Sequence, residues 1–224
     1  MTRRQYAIDT ETTGLKSKEG DRIIEIGIVE ITRDPNPRTY HRYFNPGDRE
    51  IAADATDVHG LTNDGLADEP TFEDCIDEIL EFLGDDPELI IHNAPFDLEF
   101  LRDECLEIGR VWPEYPVIDT LKESIRHHQK ARHTLDALCK RYNVDASART
   151  KHGALLDADL LAQVFLAWFG QGGLGLEAKT TAVSKEDLSA LGPLNDIVVP
   201  VDLRAAAEKP PAKSWDEFFA EHAI

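Results

Sequence analysis

The period of apolar and polar positions changes several times along the chain, and each change marks an element. "QYAIDTE" (residues 5–11) is a short apolar run ending in carboxylates, and "RIIEIGIVEIT" (22–32) alternates or runs apolar with β-branched residues. Both predict strands. The turn residues "RDPNP" lead into "RTYHRYFNP", a third strand, so the chain opens as an antiparallel meander. In "TFEDCIDEILEFLG" the period becomes helical: Phe72, Ile76, Ile79, Leu80 and Leu83 repeat at helical spacing, Thr71 precedes an acidic first turn, and Gly84 is the stop. "ELIIHN" predicts a buried strand, "APFDLEFLRDECLEIG" a helix, "YPVIDT" another strand, and the remainder to about Phe169 is expected to be helical. A meander followed by alternating helices and strands predicts a mixed α/β domain, its sheet flanked by helices.

From Gly170 onward the hydrophobic density falls and glycines and prolines scatter. This predicts one domain over residues 1–170 and a flexible tail over 171–224, a linker carrying short recognition pieces. A chain of 224 residues, 42% hydrophobic, suffices for one substantial core and such an appendage. "MTRRQYAIDTET" turns polar too early for a signal peptide, and no apolar run reaches bilayer length, so a soluble cytoplasmic protein is expected. Cys75, Cys105 and Cys139 each sit in an apolar helical pattern without CxxC spacing, which predicts reduced core thiols.

The formal charge of −19 argues against tight, free-standing binding to a polyanion. Its distribution modifies this. Residues 45–88 hold Arg49 as their only Lys or Arg, whereas residues 122–152 carry Lys122, Arg126, Lys130, Arg132, Lys140, Arg141, Arg149 and Lys151 against Glu123, Asp136 and Asp145. An acidic exterior with one local basic surface is expected.

Three segments hold candidate chemistry. Asp9 and Glu11, one residue apart at a strand end, project to the same side and repel unless a cation neutralises them. Gly14, just beyond, allows the close approach of a ligand. Asp97 stands near the start of a helix, where an acid also has the plain role of stabilising the N-terminus. In "HGALLDADLL", Asp157 lies on the helix and His152 in the loop leading into it, while Asp159 points to another face and is read as surface. Taken singly, each has an ordinary structural reading. Together they supply four acids and an imidazole, an oxygen-rich set suited to Mg²⁺ or Mn²⁺. Four carboxylates suffice for two ions roughly 3.5–4 Å apart, the arrangement that clamps a phosphodiester, and His152 can then act as general base.

"DTETTGL", "VHGLT", "HNAPFD" and "HGALLD" resemble the signature blocks of the DEDDh 3′–5′ exonucleases, over about residues 4–169. The resemblance implies a ribonuclease-H-like fold, metal binding by Asp9, Glu11, Asp97 and Asp157, and His152 as the base. It also implies that Thr12, Leu15, His59, Asn93 and Phe96 cradle the terminal nucleotide. Read on its own, His59 is a lone histidine in a polar loop and would be placed on the surface. Within the family the chain looks most like the proofreading members that serve replicative DNA polymerases, whose tails bind the polymerase and often a sliding clamp. In the tail, Gln171 to Leu176 has the glutamine and spaced apolar residues of a clamp peptide, with glycines in its other places. Ser214 with Glu217 forms a capping-box pattern ahead of Trp215, Phe218 and Phe219, an apolar patch suited to docking in a groove of the polymerase. The expected activity is metal-dependent release of 5′-mononucleotides from DNA 3′ ends. The rivals are an exonuclease for RNA or oligonucleotides and a noncatalytic scaffold of the polymerase.

Overall fold

The structure is a computed structural model that describes residues 3–169. The strands β1 (Arg4–Thr12), β2 (Ile23–Glu30), β3 (Thr39–Tyr43), β4 (Pro87–Ile91) and β5 (Val117–Asp119) form one mixed sheet in the order β3-β2-β1-β4-β5. The first three pair antiparallel as a meander, and β4 and β5 add in parallel on the other side of β1. The α/β architecture expected from the hydrophobic pattern is therefore present, with β1 at its centre.

Alternation along β1 sorts side chains between two cores. Tyr6 and Ile8 join Ile26, Ile28 and Phe44 under the helices α3 (Phe72–Leu83) and α4 (Ala94–Glu107). Ala7 joins Val29 and Ile90 on the opposite face, under α6 (Leu135–Tyr142) and α7 (Ala154–Phe169). The start of α3 is a capping box, with Thr71 and Asp74 exchanging bonds as their spacing predicts. Cys75, Cys105 and Cys139 are buried free thiols.

Two expectations need correction. The polar stretch between β3 and α3 contains α1 (Ala53–His59) and α2 (Asn63–Leu66), which the hydrophobic pattern does not reveal. These short helices bury few residues, Ala55 and His59 in α1 and Leu66 in α2, so no amphipathic stripe develops. The stretch after β5 is not continuously helical: α5 (Thr120–His127), α6 and α7 are separated by loops at 128–134 and 143–153. Thr134 caps α6 through the Ala137 N–H, and Asn143 ends it in the left-handed conformation. The candidate clamp peptide (Gln171 to Leu176) and the aromatic tail patch (Trp215, Phe218, Phe219) lie outside the described residues. No helix among the described residues is long and apolar enough to cross a membrane.

Gly27 fixes where α7 meets the sheet. It pairs with Asp9 across the β1–β2 ladder, and a Cβ there would lie 2.3 Å from the backbone of Ala154 and Leu155. The missing side chain lets the first turn of α7 rest directly on β2. That contact brings Asp157 over the end of β1. Gly27→Ala is expected to push α7 outward and destabilise the fold by roughly 1–3 kcal/mol, read as a fall in Tm; an unchanged Tm would show that the helix start yields freely.

Candidate active site

Asp9 and Glu11 leave β1 on the α7 face, opposite Gly27 and Glu25 of β2, and the ladder is irregular between Glu11 and Thr12. Irregularities of this kind bend a strand end and re-aim its side chains. Asp97, in the first turn of α4, is buried and accepts a hydrogen bond from Thr10 Oγ1 at 2.7 Å. Asp157, in the first turn of α7, is 2% exposed. His152 stands in the loop before α7, where its backbone N–H donates to the Val58 carbonyl at 3.2 Å. Its ring Nδ1 lies 3.4 Å from Asp157 Oδ2.

All five side chains line one cleft of about 460 Å³, together with Asn93, Phe96 and Arg149. Three segments far apart in the chain thus meet at this cleft. Glu11, His152 and Asp157 each present a ligand atom, all within 4.8 Å of one another. Glu11 Oε1 is buried and has no hydrogen-bond partner. An unsatisfied carboxylate oxygen is costly in the interior, and a divalent cation satisfies it with no donor required. The residues present fit a hard cation, and Glu11, Asp157, Asp9 and Asp97 are the oxygen donors of the cleft that could hold it.

The electrostatics carry the same message. Burial, followed by the charges of Asp157, Asp97 and Glu11, raises the Asp9 carboxyl well above the usual range. Glu11 is raised likewise, by burial first and then by Asp157 and Glu25. Burial pushes Asp97 up to about 7 against the opposing hydrogen bond from Thr10. Asp157 alone is lowered: burial works to raise it, but hydrogen bonds from His152 and Arg149 outweigh that.

Arg149 emerges only from the structure, since the sequence places it in a basic stretch. Its side chain is 10% exposed. It grips Asp157 through two bonds, Nε to Oδ1 at 2.5 Å and Nη2 to Oδ2 at 2.6 Å, and reaches Asp136 at 2.7 Å. Nη2 also lies 2.9 Å from His152 Nδ1. A guanidinium only donates, so this contact uses a lone pair on Nδ1. The competing Nδ1–Asp157 contact requires the proton on Nδ1 and leaves the lone pair on Nε2. Glu25, Asp119 and Thr10 are further neighbours of the acids that sequence spacing did not single out.

The remaining predicted residues divide into two groups. Asn93, in the left-handed conformation at φ 71°, and Phe96, packed 5.0 Å from Phe100, both line the cleft. Thr12, Leu15 and His59 are not among its lining residues. Thr12 is fully buried and its hydroxyl donates to the Gly14 carbonyl at 2.6 Å. His59 is 7% exposed, which corrects its surface reading: it ends α1, its Nδ1 accepts from the Leu61 N–H, and burial lowers its pKa to about 4. The space at Gly14 is also used differently from expectation. Asp21 occupies it, 2.4 Å from where a Cβ would stand, and braces the loop through Thr13 and the Lys16 N–H.

The acid-lined cleft at the carboxyl ends of β1 and β4 has the chemistry of a site for metal-assisted phosphate-ester cleavage. The family described as Exonuclease matches residues 6–165, and the chain belongs to that family. DNA polymerase III subunit epsilon of Rickettsia felis is 42% identical to this chain over 172 residues, 75% of this chain and 74% of that protein. Exonuclease X, solved in complex with 5′ overhanging duplex DNA, is similar with a TM-score of 0.57 at 28% identity, over 75% of this chain and 93% of that one. The nuclease domain of 3′hExo, a DEDDh family member bound to rAMP, shares the fold, with a TM-score of 0.65 at 18% identity over 76% of this chain and 92% of that one.

A pH dependence follows. Asp97 is raised to about 7, and Asp9 and Glu11 are raised too, so the folded state binds these protons more tightly than the unfolded chain. Stability from these groups is present below the unfolded carboxylate values and is lost as pH rises through the folded ones; the lowered Asp157 works in the opposite sense. In chelator, Tm should fall between about pH 5 and 8, and Asp9→Asn should flatten the fall and raise Tm at the upper end. A flat wild-type profile would contradict this electrostatic description.

Proposed function

We propose that this chain is a metal-dependent 3′–5′ DNA exonuclease that releases 5′-mononucleotides and proofreads for a bacterial DNA polymerase III. The observation carrying this reading is the convergence of Asp9, Glu11, Asp97 and Asp157 with His152 on one cleft. Asp9, Glu11, Asp97 and Asp157 would hold two divalent cations, Mg²⁺ or Mn²⁺, which would supply neutralisation of phosphate charge and activation of water. His152 accepts the proton of the attacking water at Nε2, in the tautomer whose Nδ1–H faces Asp157. Phe96 offers a ring for stacking the terminal base, and Asn93 presents polar groups at the same end. The resemblance to the family adds Thr12, Leu15 and His59 to the cradle; they lie outside the lining of the cleft, so their part would be to shape its edge from the side of β1.

Exposed Arg132 and Lys140 line the cleft and neither forms a salt bridge among the described residues, so they suit the phosphates of the incoming strand. This local wall, with DNA held by polymerase and clamp, reconciles an acidic protein with a polyanionic substrate. A mispaired terminus separates at lower cost, which gives selectivity without base-specific contacts. The protein works at the cytoplasmic replisome, docked on the alpha subunit through Trp215, Phe218 and Phe219, with a clamp contact at Gln171 to Leu176.

The testing experiment offers a 3′-labelled mismatched DNA primer with Mg²⁺, Mn²⁺ or chelator, beside the matching RNA. Metal-dependent monophosphate release from DNA, faster at the mismatch, is expected; preference for RNA would move the protein to RNA turnover. His152→Ala should lower turnover by roughly 10²–10⁴-fold with the fold intact, and a near-normal rate at neutral pH would remove the base role. Deleting residues 210–224 should abolish copurification with the polymerase subunit while leaving primer degradation unchanged; retained binding would refute the tail assignment.

A further inference from the structure

Arg149 is the basic residue of the cleft lining that is locked into the acid cluster, whereas Arg132 and Lys140 stand exposed on the wall. Its guanidinium touches three partners on different segments: Asp157 in α7, His152 in the loop before it, and Asp136 in α6. The two parallel hydrogen bonds donated to Asp157 form a fork against a carboxylate, which fixes the plane of the acid as well as its distance. Each carboxylate oxygen keeps a second lone pair for another ligand. The loop has other anchors, from the His152 N–H to Val58 and from the Val144 N–H to Cys139, so it does not depend on Arg149 alone.

We infer that Arg149 is a positioning residue for the reaction: its fork fixes the plane of Asp157, and Asp157 in turn holds the His152 Nδ1–H, so that a metal-holding acid and the proton acceptor keep a fixed geometry in the tautomer that leaves Nε2 free to accept a proton. The inference rests on the exonuclease reading and deepens it. Its physical basis is that small misplacement of reacting groups lowers rates steeply. A point charge on a flexible stem does not replace a planar fork. Arg149 also places one positive charge beside several negative ones, so its loss leaves the cluster more attractive to cations. Rate and metal binding should therefore separate when it is replaced.

The experiment compares the full chain with Arg149→Gln and Arg149→Lys, measuring kcat and KM on the labelled DNA primer. In parallel it measures the rise in Tm caused by Mn²⁺ alone. For Arg149→Gln, kcat should fall about 10²-fold with KM nearly unchanged, while the Mn²⁺-induced rise in Tm is equal or larger. Arg149→Lys should fold with a Tm close to wild type and recover only part of the lost rate. Recovery of full turnover at high Mn²⁺, or full activity of Arg149→Lys, would overturn the positioning role. Should Arg149→Gln fail to fold, the lysine variant alone decides. If the wild-type chain released no nucleotide at all, the exonuclease reading would fall instead, and the Mn²⁺ response would still report whether Arg149 opposes cation binding.

Discussion

Mutual repulsion among buried carboxylates is the constraint around which this molecule is arranged. Two like charges 4 Å apart cost about 4 kcal/mol at an effective dielectric of 20, and on top of the cost of burial Asp9 and Glu11 each feel the charges of Asp97 and Asp157. One guanidinium, hydrogen-bonded to Asp157, relieves that acid enough to lower it and offsets the charge at Asp9 and Glu11 only in part. The others remain protonated more readily than usual or await cations. Such a cluster persists only if its positions are imposed from outside. Here a central strand, two helix starts packed on opposite faces, and a glycine that lets α7 touch β2 impose them.

The same constraint gives the site its chemistry. Cations bound among these acids would relieve their repulsion, and the charge they bring would offset that of a phosphodiester in a protein of net charge −19. The layout divides the work by direction. Asp9 and Glu11 come from β1, Asp97 from α4, and Asp157 with His152 from α7 and its leading loop, while Arg132 and Lys140 offer the exposed cations of the wall. Thr10 ties Asp97 of α4 to β1, between Asp9 and Glu11 in the chain.

Much of this was legible in the chain because it depends on short-range periodicity. Parity along a strand puts Asp9 and Glu11 on one side, and a strand–helix junction puts Asp97 at the mouth of the same sheet. The loop position of His152 follows from where the helical pattern of α7 begins. What escaped depends on tertiary contact. Arg149 reads as one of several surface cations, and only the folding of its loop over α7 buries it. The role of Gly27 has no local signal, since the helix that needs its missing Cβ starts more than 120 residues later. His59 was hidden because α1 is polar and brief, and its burial comes from packing beside Thr12 and Leu61.

The central claim, that the acids of three segments form one divalent-cation site, is tested most directly by locating the ions. Anomalous scattering from crystals soaked in Mn²⁺ with a nucleoside 5′-monophosphate would do so. The account predicts two Mn²⁺ positions liganded among Asp9, Glu11, Asp97 and Asp157, with His152 facing the phosphate. Manganese bound elsewhere, or a nucleotide bound in the cleft with no ion beside these four acids, would contradict it.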